Sequence, residues 1–401
     1  MRKLTVLLLL AGMALPAFAA KDIPTTKVTI AQLEQALAAA HGKPDADLAQ
    51  QLSGMELTER LSAPRLARLN ADLSGERARQ ALVILADSAA FLDLPAVEIP
   101  ADTPPDPATA RRMLTAIVDY VNKTVPQLPN LIAVRDTTRF EDQPQEDQLG
   151  RTGITSLAAM PLHSVGNFNL TVTYRDHKEV VDEKALKHAP KTGGLVTAGE
   201  FGPLLGRVVG DALAGKITWG RWERGVGGKE AVFHYTVPSE KSHYNVQFCC
   251  IVEGYNADGT SNTRVFSEND AYHGEIAFDP SSGAILRISM EAEMPVGGLV
   301  SRADILVEYS PTGIAGKSYI CPARSVSILQ AHTAQQTGAY SRSHYQGASK
   351  TYLNDVAFGQ YRRFGSESRI LAGDSQEPNM PSGPGSADVP NSPMSRGITP
   401  H

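Results

Sequence analysis

Residues 272–293 read YHGEIAFDPSSGAILRISMEAE, and this stretch predicts two strands joined by a tight turn. In its second half apolar and polar residues alternate, and a period of two places the two sets on opposite faces of a strand. The apolar set is Leu286, Ile288, Met290 and Ala292, and the polar set is Arg287, Ser289, Glu291 and Glu293. Asp-Pro-Ser-Ser-Gly at 279–283 combines the fixed φ of proline with the backbone freedom of glycine. The stretch therefore predicts a half-buried antiparallel hairpin.

Size and composition limit the class of protein. With 401 residues, of which 42 % are apolar, the chain is long enough for two domains with buried cores. Its formal net charge is −5 at pH 7, and the two signs are mixed along the sequence. A nucleic-acid-binding surface needs clustered basic residues, so this balance argues against a nucleic-acid partner.

Residues 1–20 have the pattern of a secretory signal peptide. A basic Met-Arg-Lys at 1–3 precedes the apolar run 4–15 and a small-residue Ala-Phe-Ala at 17–19. A retained membrane anchor is the alternative, but the apolar run is short for spanning a bilayer. No cysteine stands directly after the expected cleavage site near Ala19, so attachment of a lipid as in bacterial lipoproteins is not indicated. We expect a bacterial protein that is periplasmic or secreted.

Residues 25–128 predict a small helical bundle. Thr29 and Gln32 have the spacing of a capping box, and segments with apolar residues at helical spacing follow. The clearest are residues 76–92 and 107–125. Helices of this length need tertiary packing to persist, so we expect them to pack together.

Residues 160–371 predict an antiparallel β domain of about ten strands with short turns. One helix, residues 203–213, interrupts the strands and carries an apolar stripe. The predicted fold class is α+β: a small helical bundle followed by a curved, half-barrel-like antiparallel sheet with this helix as its cover. Residues 372–401 are rich in Pro, Ser and Gly and poor in apolar residues, which predicts a disordered tail.

Three segments near the strands are harder to assign. Residues 131–140 are typical of either an extended bridge or a first strand. Residues 141–150 are polar and predict a loop. Residues 330–350 are rich in Gln, Ser, Thr and Gly and predict a long mobile loop.

Searching the sequence for chemistry favours a protein without catalytic residues. It contains no Gly-x-Ser-x-Gly nucleophile motif and no phosphate-binding glycine loop that opens a helix. His273 and Glu275 share a face of the predicted strand, and His234 and His243 lie near one hairpin end. Polar residues on a solvent face explain both pairs, and a zinc site needs further ligands. We expect no enzyme activity, no metal and no cofactor.

Two other residue types have open interpretations. Trp219 and Trp222 face opposite ways on a regular strand and line one pocket only if a bulge intervenes. We predict a disulfide between Cys321 and one of its two candidate partners, Cys249 or Cys250, with Cys250–Cys321 as the candidate pair. Three buried free thiols are the alternative.

The order of segments in the β region carries a resemblance. Strand pairs and a covering helix are followed by YHGEIAFDPSSGAILRI, LVSRADILVEY, GKSYICPARSVSI and NDVAFGQYRRF. This order resembles a family of uncharacterised secreted bacterial proteins. It is also similar, at a greater distance, to the half-barrel of periplasmic lipoprotein carriers of the LolA type and their RseB-like relatives. The matching features are the Asp-Pro-x-x-Gly turn and Tyr-Ile-Cys-Pro at 319–322, within residues 167–370.

The resemblance implies a curved antiparallel sheet that wraps helices and can hold acyl chains, and it implies no catalytic residue. The N-terminal helical region has no counterpart in those carriers. We therefore expect a lipid or acylated ligand against the inner face of the sheet. The residues expected to line that cavity are Leu286, Ile288, Met290, Ile305 and Val307 from the strands and Leu204 and Val208 from the helix.

Two alternatives to a lipid carrier stay open. The protein can be an envelope interaction or scaffold protein with a solid core, whose partner is another envelope protein. It can also be a hydrolase with unrecognised residues, for which His273 and Glu275 are the best candidates.

Overall fold

The computed structural model of the chain describes residues 25–144, 146–150, 153–181, 199–225, 227–255, 261–295, 298–336 and 344–364. The predicted signal peptide and the predicted disordered tail lie outside the described residues. Within the described ranges, no helix is long and apolar enough to cross a bilayer.

Four short helices and a small sheet form the N-terminal part. The helices are α1 Ile30–Ala39, α2 Asp45–Ser53, α3 Ala63–Asp72 and α4 Glu76–Ser88. Strand β1 Thr26–Val28 pairs in parallel with β2 Met55–Leu57. Leucines and alanines from all four helices share one buried cluster, as predicted, whereas the helix predicted at 107–125 packs in a different cluster. Residues 26–93, which comprise these four helices, β1, β2 and the segments that follow and connect them, are called the bundle below.

Side-chain caps fix two of the bundle's helix starts. The predicted capping box is present: Gln32 N–H donates to Thr29 Oγ1 at 3.3 Å, and Thr29 N–H donates to Gln32 Oε1 at 2.8 Å. Asp45, at the start of α2, accepts from the backbone of Arg77 and Ala78 in α4 at 3.1 and 2.8 Å. Because one carboxylate serves two helices, the α2–α4 packing is fixed at its end.

The remaining helices lie further along the chain. Helix α5 Pro107–Asp119 begins at the capping Asp106 and continues into a π-helical turn, Tyr120–Thr124. Helix α6 Pro203–Ala214 is the predicted helix within the β region. The strands of the β region are β3 Leu131–Gln143, β4 Glu146–Gly150, β5 Gly153–Leu157, β6 Met160–Arg175, β7 Lys178–Val181, β8 Lys216–Gly225, β9 Gly228–Val237, β10 Asn245–Tyr255, β11 Ser261–Asn269, β12 Tyr272–Phe278, β13 Ile285–Ala292, β14 Val300–Ile314, β15 Lys317–Gln336 and β16 His344–Arg363.

Ten of the described strands form one antiparallel sheet in the order β7-β6-β3-β16-β15-β14-β13-β12-β9-β8. Because β7 and β8 stand at opposite ends of that order, the sheet is not closed into a barrel. Strand pairs β4–β5 and β10–β11 make separate hairpins. The predicted α+β class with a large antiparallel sheet is confirmed.

The three segments that were hard to assign from the sequence all contain strands, which confirms the strand alternative for residues 131–140. Residues 131–140 belong to β3, which lies between β6 and the last strand, β16. The predicted loop 141–150 contains the end of β3 and the strand β4, and the predicted loop 330–350 contains parts of β15 and β16. These two loop predictions were wrong because neighbouring strands satisfy the backbone of polar residues as well as that of apolar ones.

The opening hairpin is β12–β13, with Ile276 opposite Ile288. Asp279 accepts hydrogen bonds from the backbone and hydroxyl of Ser281 at 2.9 and 2.8 Å. Gly283 has φ +73°, and a Cβ there would lie 2.3 Å from the carbonyl oxygen of Ala116 in α5. The turn therefore needs glycine both for its backbone conformation and for its contact with a helix.

The sheet has two chemically different faces. The face that carries Ile288 and Met290, called the apolar face, packs against α5, α6 and hairpin β10–β11 in the largest buried cluster. Trp219 and Trp222 both pack there because a register shift interrupts β8 between Trp219 and Arg221. Their rings are 4.8 Å apart, which confirms the bulged alternative.

The opposite face, called the charged face, carries Arg287, Ser289 and Glu291. The end of α4 covers part of it through an apolar cluster that includes Ala90, Phe91 and the sheet residues Phe140, Leu306, Val326, Ile328 and Leu353. The bundle thus lies on one face of the sheet while α5 and α6 lie on the other. All described residues belong to one compact unit.

The apolar face is either a packed core or the wall of a cavity, and the substitution Ile288→Ala distinguishes these two descriptions. Ile288 is fully buried. In a packed core the truncation leaves a void, so we expect it to lower the free energy of unfolding by about 2–5 kcal/mol. Urea denaturation followed by circular dichroism measures this loss.

The matched control is Val97→Ala at a side chain that is 89 % exposed, where we expect a change within about 0.5 kcal/mol. If Ile288→Ala is as mild as this control, the apolar face is not a packed core.

Candidate functional site

The residues predicted to line a ligand cavity lie on the apolar face or at its margin. Ile305 is partly buried against the main cluster, and Leu286 is half-buried and outside it. The other five predicted residues are buried members of that cluster: Leu204, Val208, Ile288, Met290 and Val307. Leu286 departs from the predicted alternation because a register shift at Phe278 brings Ile285 to the apolar face. Helix α6 and aromatic rings occupy this side of the sheet, so the role of these residues as a ligand wall stays a prediction.

The predicted Cys250–Cys321 disulfide is not formed, since Cys321 is free and buried. Cys321 packs in an apolar cluster with Leu131, Val356 and Phe358. Burial raises the pKa of its thiol to about 12, so the reactive thiolate is suppressed. The side chains of Cys249 and Cys250 lie outside the described part of the chain.

His234 and His243, which the sequence placed near one hairpin end, do not approach each other. His243 Nδ1 lies 2.6 Å from Asp211 of α6, and Tyr272 donates to the same carboxylate at 2.9 Å. His234 Nδ1 lies 3.5 Å from Glu275 on the charged face. His243 therefore binds a helix on one side of the sheet while His234 faces the other side.

A buried ion network on the charged face joins the bundle to the sheet. Glu223 of β8 accepts from Arg60 of the bundle at 2.9 Å, from Arg221 at 2.9 Å and from Arg287 at 2.8 and 3.1 Å. Glu275 of β12 accepts from Arg221 at 2.6 and 2.9 Å and from Arg287 at 2.9 Å. Three guanidinium groups thus share two carboxylates.

The network holds both carboxylates ionised. Burial acts to raise the pKa of Glu223, but the guanidinium groups of Arg287, Arg60 and Arg221 together lower it well below its usual range. Burial also acts to raise the pKa of Glu275, but Arg287 and Arg221 lower it below its ordinary value. Burial and the neighbouring Arg287 lower the pKa of Arg60. Each charge depends on its partners because little solvent screens it.

Beside the network lies a second cluster with the opposite balance of charge. Glu291 of β13 is opposite His273 on one side and opposite Asp304 on the other. His273 Nε2 is 4.0 Å from Glu291, and Arg302 pairs with Asp304. Burial, and then the charge of Asp304, raises the pKa of Glu291 from its ordinary value near 4.5 to about 7. The described residues contain no group of three donors arranged to hold a metal ion.

Two open spaces lie between the bundle and the charged face. The larger, called the sheet cleft, has a volume of about 360 Å³. Its apolar lining includes Leu52, Met55, Ala81, Ile84, Leu85, Met160, Leu162, Ile328 and Leu353. Its polar lining includes Thr25, Ser53, Glu56, Ser88, Asp142, Gln143, Arg302, Gln330, Ser349 and Thr351.

The smaller space, called the polar cavity, has a volume of about 330 Å³. It is lined by Arg60, Ala90, Phe91, Leu92, Asp93, His234, His273, Gly274, Glu275, Arg287, Ser289, Glu291 and Leu306. Arg302, which lines the cleft, lies 5.5 Å from the ring of Phe91, which lines the cavity. None of the seven residues predicted to line a lipid cavity lines either space.

Sequence reasoning found part of this site. It placed Arg287 and Glu291 on one face as cross-strand charges and His273 beside Glu275, which is correct for the strand. It missed Glu223, Arg221 and Arg60. The bulge in β8 hides the first two from a period-two pattern, and Arg60 comes from a segment 163 residues from Glu223.

Comparisons with known proteins add little to this geometry. No family model matches the chain, and no curated protein matches it. A search of solved structures matched a chain of the complex structure of Pseudomonas aeruginosa MucA/MucB, with 9 % identity, covering 63 % of this chain and 99 % of that chain, at a TM-score of 0.20. A TM-score this low supports no conclusion about fold or function.

The buried network makes Glu223→Gln a severe change. The substitution keeps the shape of the side chain but removes a negative charge from among three guanidinium groups. Breaking a buried ion pair typically costs about 3–5 kcal/mol, and we expect a loss of that size in the free energy of unfolding by urea.

Glu76→Gln is its surface counterpart, since Glu76 is exposed and pairs with Arg79 at 3.3 Å within one helix. We expect it to cost less than about 1 kcal/mol. Equal losses in the two variants would contradict a network that is shielded from solvent.

Glu291 predicts a pH dependence of stability. Because its pKa is raised in the folded protein to about 7, the folded state holds this proton more tightly than the unfolded state. The stabilisation is present in full below about pH 4.5 and is lost as the pH rises to about 7. We expect Glu291→Gln to flatten the fall in the free energy of unfolding across that range.

Denaturation at a series of pH values measures this effect, with Glu240→Gln in the turn after β9 as the control. An unchanged pH profile in Glu291→Gln would show that this carboxyl is not the responsible group.

Proposed function

We propose that the protein is a non-catalytic interaction protein of the bacterial cell envelope, and that the sheet cleft binds a segment of another envelope protein. The observation that carries the proposal is the position and lining of the cleft. It is an open space of about 360 Å³ between the bundle and the sheet, and its size is in the range of ligand sites.

The floor of the cleft supplies an apolar surface. Leu52 and Leu85 from the bundle and Ile328 and Leu353 from the sheet are each at least 95 % buried. At the rim, Met160 is 41 % exposed. A buried apolar floor with an exposed methionine at its edge suits apolar side chains that enter from solvent, since methionine adapts to varied partners.

Polar groups at the rim favour a peptide over a bare acyl chain. Asp142, Gln330, Ser349 and Thr351 interrupt the apolar lining. A peptide backbone can offer such groups further hydrogen bonds, whereas an acyl chain desolvates them and offers none.

Location in the envelope rests on the N-terminal pattern of residues 1–20, which is typical of an export signal. An exported protein meets its partners in the periplasm or outside the cell.

A lipid or an acylated molecule is the second candidate ligand, and the apolar floor of the same cleft favours it. In this version of the proposal the acyl chain lies along Leu85 and Ile328 rather than on the apolar face, where α6 and aromatic side chains pack.

Photo-crosslinking tests the first candidate. A photoreactive amino acid replaces Met160, and a second variant carries it at Val165 of the same strand, which is 46 % exposed and does not line the cleft. In living cells we expect a discrete crosslinked protein from position 160 and none from position 165.

Blocking the cleft supplies the control. With the photoreactive residue at Met55, Met160→Arg should abolish the crosslink and Val165→Arg should leave it unchanged. Native mass spectrometry after mild extraction tests the second candidate. If a lipid or acylated molecule is the ligand, it should be bound to the wild-type protein and absent from the Met160→Arg variant. Both candidates would be wrong if the crosslink persists in the Met160→Arg variant and no acylated molecule is found by mass spectrometry.

A further inference from the structure

The polar cavity has its own chemistry, distinct from that of the sheet cleft. Its floor is built from Arg60 and Arg287, and its mouth from His273 and Glu291, with Ser289 between them. Asp93, at the end of the bundle, is exposed and carries a further negative charge at the edge. The cavity therefore runs from a cationic end to an anionic end.

At the cationic end, two donors lack partners. Arg60 is 8 % exposed and Arg287 is 9 % exposed. Within the described part of the chain, the Nε–H groups of both side chains are buried and have no hydrogen-bond acceptor. A buried donor without an acceptor is costly and rare in native proteins, so these donors point to an acceptor that the chain itself does not supply.

At the anionic end, carboxylates exceed cations. Glu291 lies opposite Asp304, and Arg302 already pairs with Asp304. Among the described ion-pair contacts, Glu291 has the imidazole of His273 as its partner, at 4.0 Å. Two neighbouring carboxyl groups with one guanidinium between them favour an added cation.

The spacing of the two ends sets the size of a ligand. Arg287 and Glu291 are four residues apart on β13 and face the same way, so their Cα atoms are about 13 Å apart. A hydrogen bond of about 2.9 Å at each end of the ligand takes up part of this gap. An extended dipeptide spans about 7 Å from end to end, which fits the remaining distance better than a single amino acid does.

We infer that the polar cavity binds a small zwitterion of about dipeptide length, with its carboxylate at Arg60 and Arg287 and its ammonium group at Glu291. An organic cation fits better than a metal ion, because the described residues offer no set of three metal ligands. This inference does not depend on the proposed function of the sheet cleft, which uses other residues.

Isothermal titration calorimetry with L-alanyl-L-alanine tests the inference, in a buffer free of amines and carboxylates. We expect binding by the purified protein. Two analogues each remove one charge: N-acetyl-alanyl-alanine lacks the ammonium group and alanyl-alanine amide lacks the carboxylate. Each lost charge-assisted hydrogen bond should weaken binding by about tenfold or more.

Two variants should mirror the analogues. Glu291→Gln should weaken alanyl-alanine by about tenfold and leave N-acetyl-alanyl-alanine unchanged, because the analogue already lacks the group that Glu291 binds. Arg60→Lys keeps a cation beside Glu223 but lacks Nε, so it should weaken alanyl-alanine and leave the amide unchanged. Glu56→Gln, at the sheet cleft, is the control and should not change the affinity.

The outcomes are decisive in both directions. Equal binding of the dipeptide and both analogues, equal loss of every ligand in Glu291→Gln, or no binding of the dipeptide at millimolar concentration would each overturn the inference. If Arg60→Lys fails to fold, as judged by circular dichroism, the comparison of ligands on the wild-type protein and on Glu291→Gln still decides it.

Discussion

Glu223 accepts hydrogen bonds from guanidinium groups of three different segments, and the placement of the bundle on the sheet depends on it. Removing one partner of a buried pair leaves a charge in a poorly solvated place, which costs about 3–5 kcal/mol. Arg60 is the bundle's contribution to this network. If the bundle moved away from the sheet, Glu223 would lose this partner and the protein would lose that free energy of unfolding. The apolar contacts of α4 on the same face add buried surface. The ion pairs select one orientation of the bundle on the sheet, because hydrogen bonds between guanidinium and carboxylate groups are directional.

The layered arrangement follows from the two faces of the sheet. The apolar face buries aromatic and aliphatic side chains against α5 and α6, so its contribution is stability. The charged face meets the bundle only in part, through the network and a small apolar cluster. The sheet cleft and the polar cavity both lie at that incomplete contact. Binding chemistry is therefore expected where the layers meet loosely, while the tightly packed face supports the strands.

Local patterns were sufficient for much of the fold. The alternation from Arg287 to Glu291, the glycine at 283 and the capping box at Thr29 each depend on neighbouring residues, so they were readable and are confirmed. The loops assigned at 141–150 and 330–350 failed because composition does not report whether a partner strand is present. The candidate lipid wall was placed on strands that do carry an apolar face, and α6 was expected to cover it, but the sequence did not indicate that α5 packs there as well.

By itself the sequence determined the class of fold and the division of β13 into an apolar and a charged row, because side-chain alternation is a property of each strand alone. Only the tertiary structure decided the order of strands, the position of β3 beside the last strand, and the meeting of Arg60 with Glu223 across 163 residues. These depend on which distant segments satisfy one another's hydrogen bonds and charges. The candidate binding spaces belong to that second group, since both are formed between layers and neither is formed by one segment.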